Sequence, residues 1–447
     1  MCFNKNNRSG VLSFKAVFLL LLLTGLAVSS CQKNLKLYDL QIDNSNALRV
    51  NLSFTMNRLE QPILYYWEIT KPDGKYYKVL NSKEEQEIVL YKLKPDTRYA
   101  FMVADSKESD VKRSDTIFFE TPRLPYTIPR LNIMIDSGNV FDGYILVRKV
   151  EAPAQQLLIN HQGEIVWYHQ FDTALSRFFS WTEEGTILSL HDEDKIVEFD
   201  LAGNILNSLE YGEKGFDRLL HHEIIKNDNH EILSLTRNMQ VFDLREFDGI
   251  ENDTIYGDGI LVMDKEGNKI WEWDMYQFEN PLEDENINSM KKDWSHGNSL
   301  AIDQDGHYLI SFRNFHQVWK IHSQNGEILW KIGMGGDFTL QDDEFFYSQH
   351  TAFNNRFNEL MIFDNGGPDR MLSRAITFDI DGKGKYHPGR IRITLPGELY
   401  TFKEGSAYFV EENKLLFCSS RTNNLVITDL DGNILWQLKS SESFYRA

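Results

Sequence analysis

A turn of the form Asp/Asn-x-x-Gly, followed by an apolar strand that often ends in Trp, recurs six times in this chain and constrains its architecture more than any other feature. The copies centre on Gly163 (INHQGEIVWYH), Gly203 (FDLAGNIL), Gly267 (MDKEGNKIWEW), Gly326 (HSQNGEILWKIG), Gly382 (FDIDGKG) and Gly432 (TDLDGNILWQL), with separations of 40, 64, 59, 56 and 50 residues. Each copy follows a further strand pair, such as Glu231 to Leu235 or Tyr308 to Phe312. Four strands at this period form a sheet too small to bury both of its faces, so each unit must stack on its neighbours. The spacing predicts an all-β chain with a six-bladed β-propeller over 123–447, roughly 54 residues per blade. The Gly supplies the positive φ of a tight hairpin. Trp167, Trp271, Trp330 and Trp436 read as packing between blades rather than as chemistry.

Composition agrees with this reading and removes some partners. Aromatic residues make up 13% of the 447, and long apolar stripes at helical spacing are absent. Lys and Arg number 47 against 66 Asp and Glu, a formal net charge of −19. With no basic block to relieve that charge, nucleic acid is excluded as a partner. Ahead of the repeats, residues 31–122 alternate apolar and polar in short runs, among them Leu48 to Phe54, Ile63 to Ile69 and Tyr99 to Val103. The stretch Leu93 to Tyr99 (LKPDTRY) is similar to the fibronectin type III corner, in which a Tyr entering a late strand packs its ring inside. A small β-sandwich is expected there, joined to the repeats by a connector stiffened by Pro122, Pro125 and Pro129.

Residues 1–30 read as an export signal. Lys5, Arg8 and Lys15 precede an apolar run from Ala16 to Val28, too short to span a bilayer. The run ends in Val28-Ser29-Ser30-Cys31, which resembles a relaxed bacterial lipobox, so Cys31 is the expected lipid attachment site and the cell envelope (periplasm or outer surface) the expected location. Plain secretion is the alternative. Of the three cysteines only Cys418 then remains in the folded part, which leaves no intramolecular disulfide and no sulfur-rich zinc site.

The repeat also organises the histidines. His222 (LLHHEII), His296 (DWSHGNSLAI) and His350 (SQHTAF) occupy nearly the same place in three blades, although 74 and 54 residues separate them. In a propeller such positions converge at the mouth of the axial channel. Arg313, just after the strand ending at Phe312, is placed to reach the same funnel. Three imidazoles and a guanidinium in so acidic a chain suit an anion. Three His could also ligate a metal, but a fixed cation beside a divalent ion is repulsive. If His222 faces the channel, strand alternation turns His221 away. His161, His191, His316, His322 and His387 read as structural.

In order and combination, LLHHEI, WSHGNSL, SFR (Ser311 to Arg313), SQHTAF and the blade turns resemble the bacterial aryl-sulfate sulfotransferases. The resemblance implies an exported six-bladed propeller behind a small β-domain, a family-typical homodimer, and transfer of a sulfuryl group from a phenolic sulfate donor to a phenol acceptor without 3′-phosphoadenosine phosphosulfate. It makes His350 the nucleophile that becomes a sulfohistidine, with His222, His296 and Arg313 as the other catalytic residues and Asn298 as a supporting site residue. His221 is counted with the substrate-binding residues, together with Phe346 and Tyr347, which lie in the loop before His350 and offer a phenyl ester a stacking slot. No cofactor is needed, and no GxxxxGK[ST] loop is present. A non-catalytic lipid-anchored propeller that binds a ligand or an envelope partner is the rival reading, with a metal-dependent hydrolase or lyase behind it.

Overall fold

The computed structural model describes residues 35–105, 112–171, 176–381 and 385–447. The expected export signal, Cys31 and the Gly382 turn lie outside the described residues. Among the described residues no helix is long and apolar enough to cross a membrane.

The chain divides into two compact units. The first consists of Val50–Leu90 and Pro95–Pro122 with the described residues up to Asn46, the second of Ala47–Arg49, Tyr91–Lys94 and Arg123–Ala447. Seven strands of the leading part form two sheets, one of three strands (Leu37–Asn46, Arg49–Met56, Glu85–Tyr91) and an antiparallel one of four (Tyr76–Val79, Pro62–Glu68, Arg98–Asp105, Ile117–Glu120). Period-2 alternation produces them: Val50, Leu52, Phe54 and Met56 point inward and their neighbours outward. Tyr99 is buried and stacks on Phe119 at 5.4 Å, as its place in LKPDTRY predicts.

The second unit is a succession of six antiparallel sheets. The first holds Tyr144–Arg148, Gln155–Asn160 and Ile165–Gln170, and the second runs from Ser176–Trp181 to Ile205–Glu210. The third runs from Leu219–Lys226 to Lys269–Asp274, the fourth from Gly297–Ile302 to Ile328–Gly333, and the fifth from His350–Asn354 to Tyr386–Thr394. In the sixth, Ser406–Glu411 to Ile434–Ser440 accept Leu131–Asp136 as an outer strand, so the start of the unit is hydrogen-bonded to its end. The last residues also pair back onto the first sheet, where Tyr445 N donates to Arg148 O and Val150 N to Ser443 O. The leading strands of the second to the sixth sheets lie side by side in sequence order.

A hydrophobic layer fills each junction between sheets, built from both partners. Leu233, Ile260 and Trp273 of the third sheet meet Leu300, Ile310 and Trp319 of the fourth, and Val147, Leu157 and Ile159 of the first meet Leu416, Ile427 and Trp436 of the sixth. Strands buried on both faces read as continuous apolar runs rather than alternating ones. The Trp residues do pack between sheets. The Trp167 indole donates to Leu201 O, Trp271 to Gln324 O and Trp436 to His161 O, each on the next sheet's Gly turn.

Candidate active site

His296 and His350 stand at the start of two consecutive leading strands and His222 within the one before them, Leu219–Lys226, each beside a β-bulge. The ladders shift register between His221 and Ile224, Gly297 and Ser299, and His350 and Ala352. Positive φ accompanies each shift, at His222 (57°), His296 (50°) and Thr351 (45°). Non-glycine residues pay for this conformation, and bulges re-aim side chains at functional sites. The three imidazoles line a single cavity of about 260 Å³ with Arg148, Val150, Phe178, Lys403, Glu404 and Tyr445. The His222 and His296 rings are 4.9 Å apart, and Phe178 stacks on His222 at 5.1 Å.

Each of the three is held by Nδ1, which leaves Nε2 unclaimed by these bonds. The His350 Nδ1 lies 2.8 Å from Asn365 Oδ1. The Asn365 amide nitrogen is committed to Thr401 O and Glu404 O, so its oxygen faces the ring, His350 carries its proton on Nδ1, and Nε2 keeps its lone pair. Burial pushes the His350 imidazole well below its ordinary pKa. Arg446, His296 and Arg313 act in the same direction, against the raising effect of the Asn365 bond. The His222 imidazole is likewise held well below 6.5, by burial first and then by His221, His296, His350 and Arg446. Both are neutral at pH 7, the form in which imidazole is a nucleophile or a base. His296 Nδ1 contacts the Asp293 carboxylate at 2.5 Å.

The other expected site residues divide. Arg313 fixes the His296 turn, its backbone N donating to His296 O, and its guanidinium acts electrostatically on His350. Asn298 is fully buried, and its amide donates to Gln349 O at 2.7 Å, so it anchors the residue before His350 instead of facing a substrate. Gln349 is tied in turn to Ser311 Oγ, Phe312 O and Gln317 O. His222 faces the cavity and His221 is outside its lining, but the bulge at this pair puts their two Nδ1 atoms 2.8 Å apart. Phe346 supplies no slot. Its ring is fully buried in the layer between the fourth and fifth sheets, against Phe378. Tyr347 packs edge-on against His316, with Arg370 over its ring, outside the cavity lining. The aromatic walls are Phe178 and Tyr445 instead. His316 is more than structural filler, since its Nδ1 accepts the amide of Ser348, two residues before His350.

Sequence reasoning missed Asn365, Asp258, Phe178, Tyr445 and Arg446. Asn365 lies in FDNGG, which reads as an ordinary turn, and nothing in the pattern marks Arg446, whose guanidinium is ion-paired to Glu223 at 2.5 Å beneath the histidines.

The sequence profile of the arylsulfotransferase (ASST) family matches residues 112–385, more than half of the chain and all four of His222, His296, Arg313 and His350. The chain belongs to the arylsulfotransferase family. Family membership brings sulfotransferase activity in general, with a donor and an acceptor as substrates. No curated protein sequence is a significant match. Similar solved structures include a Bacteroides caccae protein of unknown function (12% identity, 68% of this chain and 97% of that one, TM-score 0.45) and a streptogramin B lyase (11%, 69% and 86%, 0.41). Another is virginiamycin B lyase from Staphylococcus aureus (11%, 69% and 88%, 0.38).

Proposed function

We propose that this arylsulfotransferase moves a sulfuryl group from an aryl sulfate to an acceptor phenol in two displacements through a sulfohistidine at His350. The observation that carries the proposal is the shared cavity, into which three consecutive sheets bring one imidazole each. In the first displacement the Nε2 lone pair of His350 forms an N–S bond while the ester O–S bond breaks and its electrons leave with the phenolate. In the second, the acceptor oxygen bonds to sulfur, the N–S pair returns to Nε2, and the phenolic proton passes to a neighbouring imidazole. Splitting one hard transfer into two is the usual gain of covalent catalysis. The sulfuryl oxygens bear the charge; Arg148 and Lys403 stand on the lining with the single carboxylate of Glu404, and the Arg313 and Arg446 charges act on His350, so cations outnumber anions around the reacting group in an otherwise acidic protein. Phe178 offers an aryl group a stacking surface.

The architecture that serves this chemistry is, in our reading, a six-bladed propeller with the cavity at one mouth of its axial channel, behind a fibronectin-like sandwich and a lipid anchor at Cys31. Six successive sheets, six intervening apolar layers and the pairing of both ends of the unit support it. The test is to incubate the protein with p-nitrophenyl sulfate alone and map adducts by mass spectrometry. A sulfuryl adduct on His350 that disappears when phenol is added is the expected result. Acceptor-dependent release of nitrophenolate with no adduct on His350, or undiminished turnover by His350→Ala, would overturn it.

A further inference from the structure

Resting on that transferase reading, we propose that Asp258 and His221 are positioning residues. One buried carboxylate fixes both His222 and the turn that carries His296, and with His221 it accommodates the proton that His222 takes from the acceptor phenol.

Asp258 sits in the strand Asp253–Met263, the third of its sheet, and is 4% exposed. Its Oδ1 accepts from His221 Nε2 at 2.9 Å. Its Oδ2 accepts from the backbone N of Gly297 at 2.6 Å and from Ser295 Oγ. Ser295 and Gly297 flank His296, so a single side chain spans two of the three cavity histidines. Position 297 is matched to it, because a Cβ there would lie 3.0 Å from the Asp258 carboxyl carbon. Burial raises the Asp258 carboxyl, but the hydrogen bonds and charge from His221, Ser295 and Gly297 outweigh this and hold it below the ordinary value, in the charged form.

The tautomers follow from these bonds. His221 donates from Nε2 to a carboxylate, so in its neutral form Nδ1 is an acceptor. That Nδ1 is 2.8 Å from His222 Nδ1, a separation at which one nitrogen must donate and the other accept, so the proton belongs to His222. His222 therefore keeps a lone pair on Nε2. When the acceptor O–H breaks, its proton bonds to Nε2. The resulting positive charge is shared through His222 Nδ1–H to His221 and through His221 Nε2–H to Asp258. The next donor's departing phenolate takes a proton back, and the balance is restored. A buried imidazole beside His296, His350 and Arg446 is a poor place for a cation, and the relay supplies the compensating carboxylate.

The test compares the wild type with Asp258→Asn and His221→Asn in the full chain. With p-nitrophenyl sulfate as donor, whose phenolate leaves with little help from an acid, transfer is measured to acceptors ranging from weakly acidic alkylphenols to strongly acidic cyanophenols. His350 labelling without acceptor is measured alongside. The expected result is labelling within a few-fold of wild type, a loss of roughly a hundredfold for the weakly acidic phenols and of less than about fivefold for the acidic ones, with partial rescue by Asp258→Glu. Nitrogen NMR should show His222 carrying its proton on Nδ1 in the wild type and mixed tautomers in both variants. Equal loss across all acceptors, or no loss in either variant, would overturn the relay. Failure to label His350 in the wild type would overturn the transferase reading and the relay with it.

Discussion

The two ends of the sheets use the same backbone irregularity for opposite purposes. At one end lie the Gly turns, where Gly163, Gly203, Gly267, Gly326 and Gly432 take φ between 75° and 88°. Three of these turns are clamped identically, with the carboxylates of Asp200, Asp264 and Asp429 each accepting from the side-chain amide of the Asn four residues on, at 2.7–2.8 Å. Positive φ costs little there, and the local bonds settle the turn. At the other end His222, His296, Ser348 and Thr351 take φ between 45° and 57° with side chains attached. Their strain is balanced by bonds that cross between sheets, such as Ser348 N to His316 Nδ1 and Asn298 to Gln349 O. Positive φ on glycine marks a fold's punctuation. At His222 and His296 it marks a backbone bent to aim a ring.

Removing what aims a ring should break the comparison most severely. Asn365→Ala takes away the acceptor that keeps the His350 proton on Nδ1, and kcat should fall roughly a hundredfold with the melting temperature changed by only a few degrees. Steady-state kinetics with an excess of acceptor checks this, and unchanged kcat would show that Asn365 does not set the tautomer.

Glycine exchanges at the two ends should have opposite signs. His296→Gly relieves the strain at φ 50° and gives up a contact with an exposed carboxylate, so unfolding should become about 1 kcal/mol harder while transfer falls at least tenfold. Gly432→Ala puts a Cβ only in ordinary contact with Ile393 at 3.5 Å, so its cost is conformational, about 1 kcal/mol of stability with activity retained. Urea titrations of both variants, run beside the transfer assay, measure the contrast.

The last contrast concerns pH. His191 ends the strand paired to the bulged start of the second sheet, and burial, with the Lys195 charge adding to it, pushes its imidazole down to about 4. Above pH 6.5 it is neutral folded and unfolded, so stability there is independent of it. Below 6.5 the unfolded chain takes up a proton that the folded one refuses until about pH 4, so stability falls across that window. His222 and His350 act with the same sign. Melting temperatures between pH 7 and 4 should decline, and less steeply in His191→Phe.

Much of this was legible in the residues. The Gly turns are local chemistry, so their spacing located the sheets without any knowledge of their packing, and Trp167 and Trp436 went where an amphipathic ring beside a turn must go. The convergence of His222, His296 and His350 was readable because a repeat puts equivalent positions in equivalent places. The aromatic slot was not. Phe345, Phe346 and Tyr347 look alike in sequence, but the chain turns Phe346 into the layer between two sheets, and Phe178 and Tyr445, from remote segments, line the cavity instead. Nor was the contact between His221 and His222 legible, since it is a bulge that brings the two adjacent rings together.

The sequence by itself determined the all-β character, the repeat and the three histidines, because turn chemistry, strand periodicity and repeat equivalence are carried by residues close together in the chain. The tertiary structure alone decided how those histidines are held. Asn365, Asp258 and Arg446 act through hydrogen bonds and charge that fall off within a few ångströms, and only folding brings such distant positions that close.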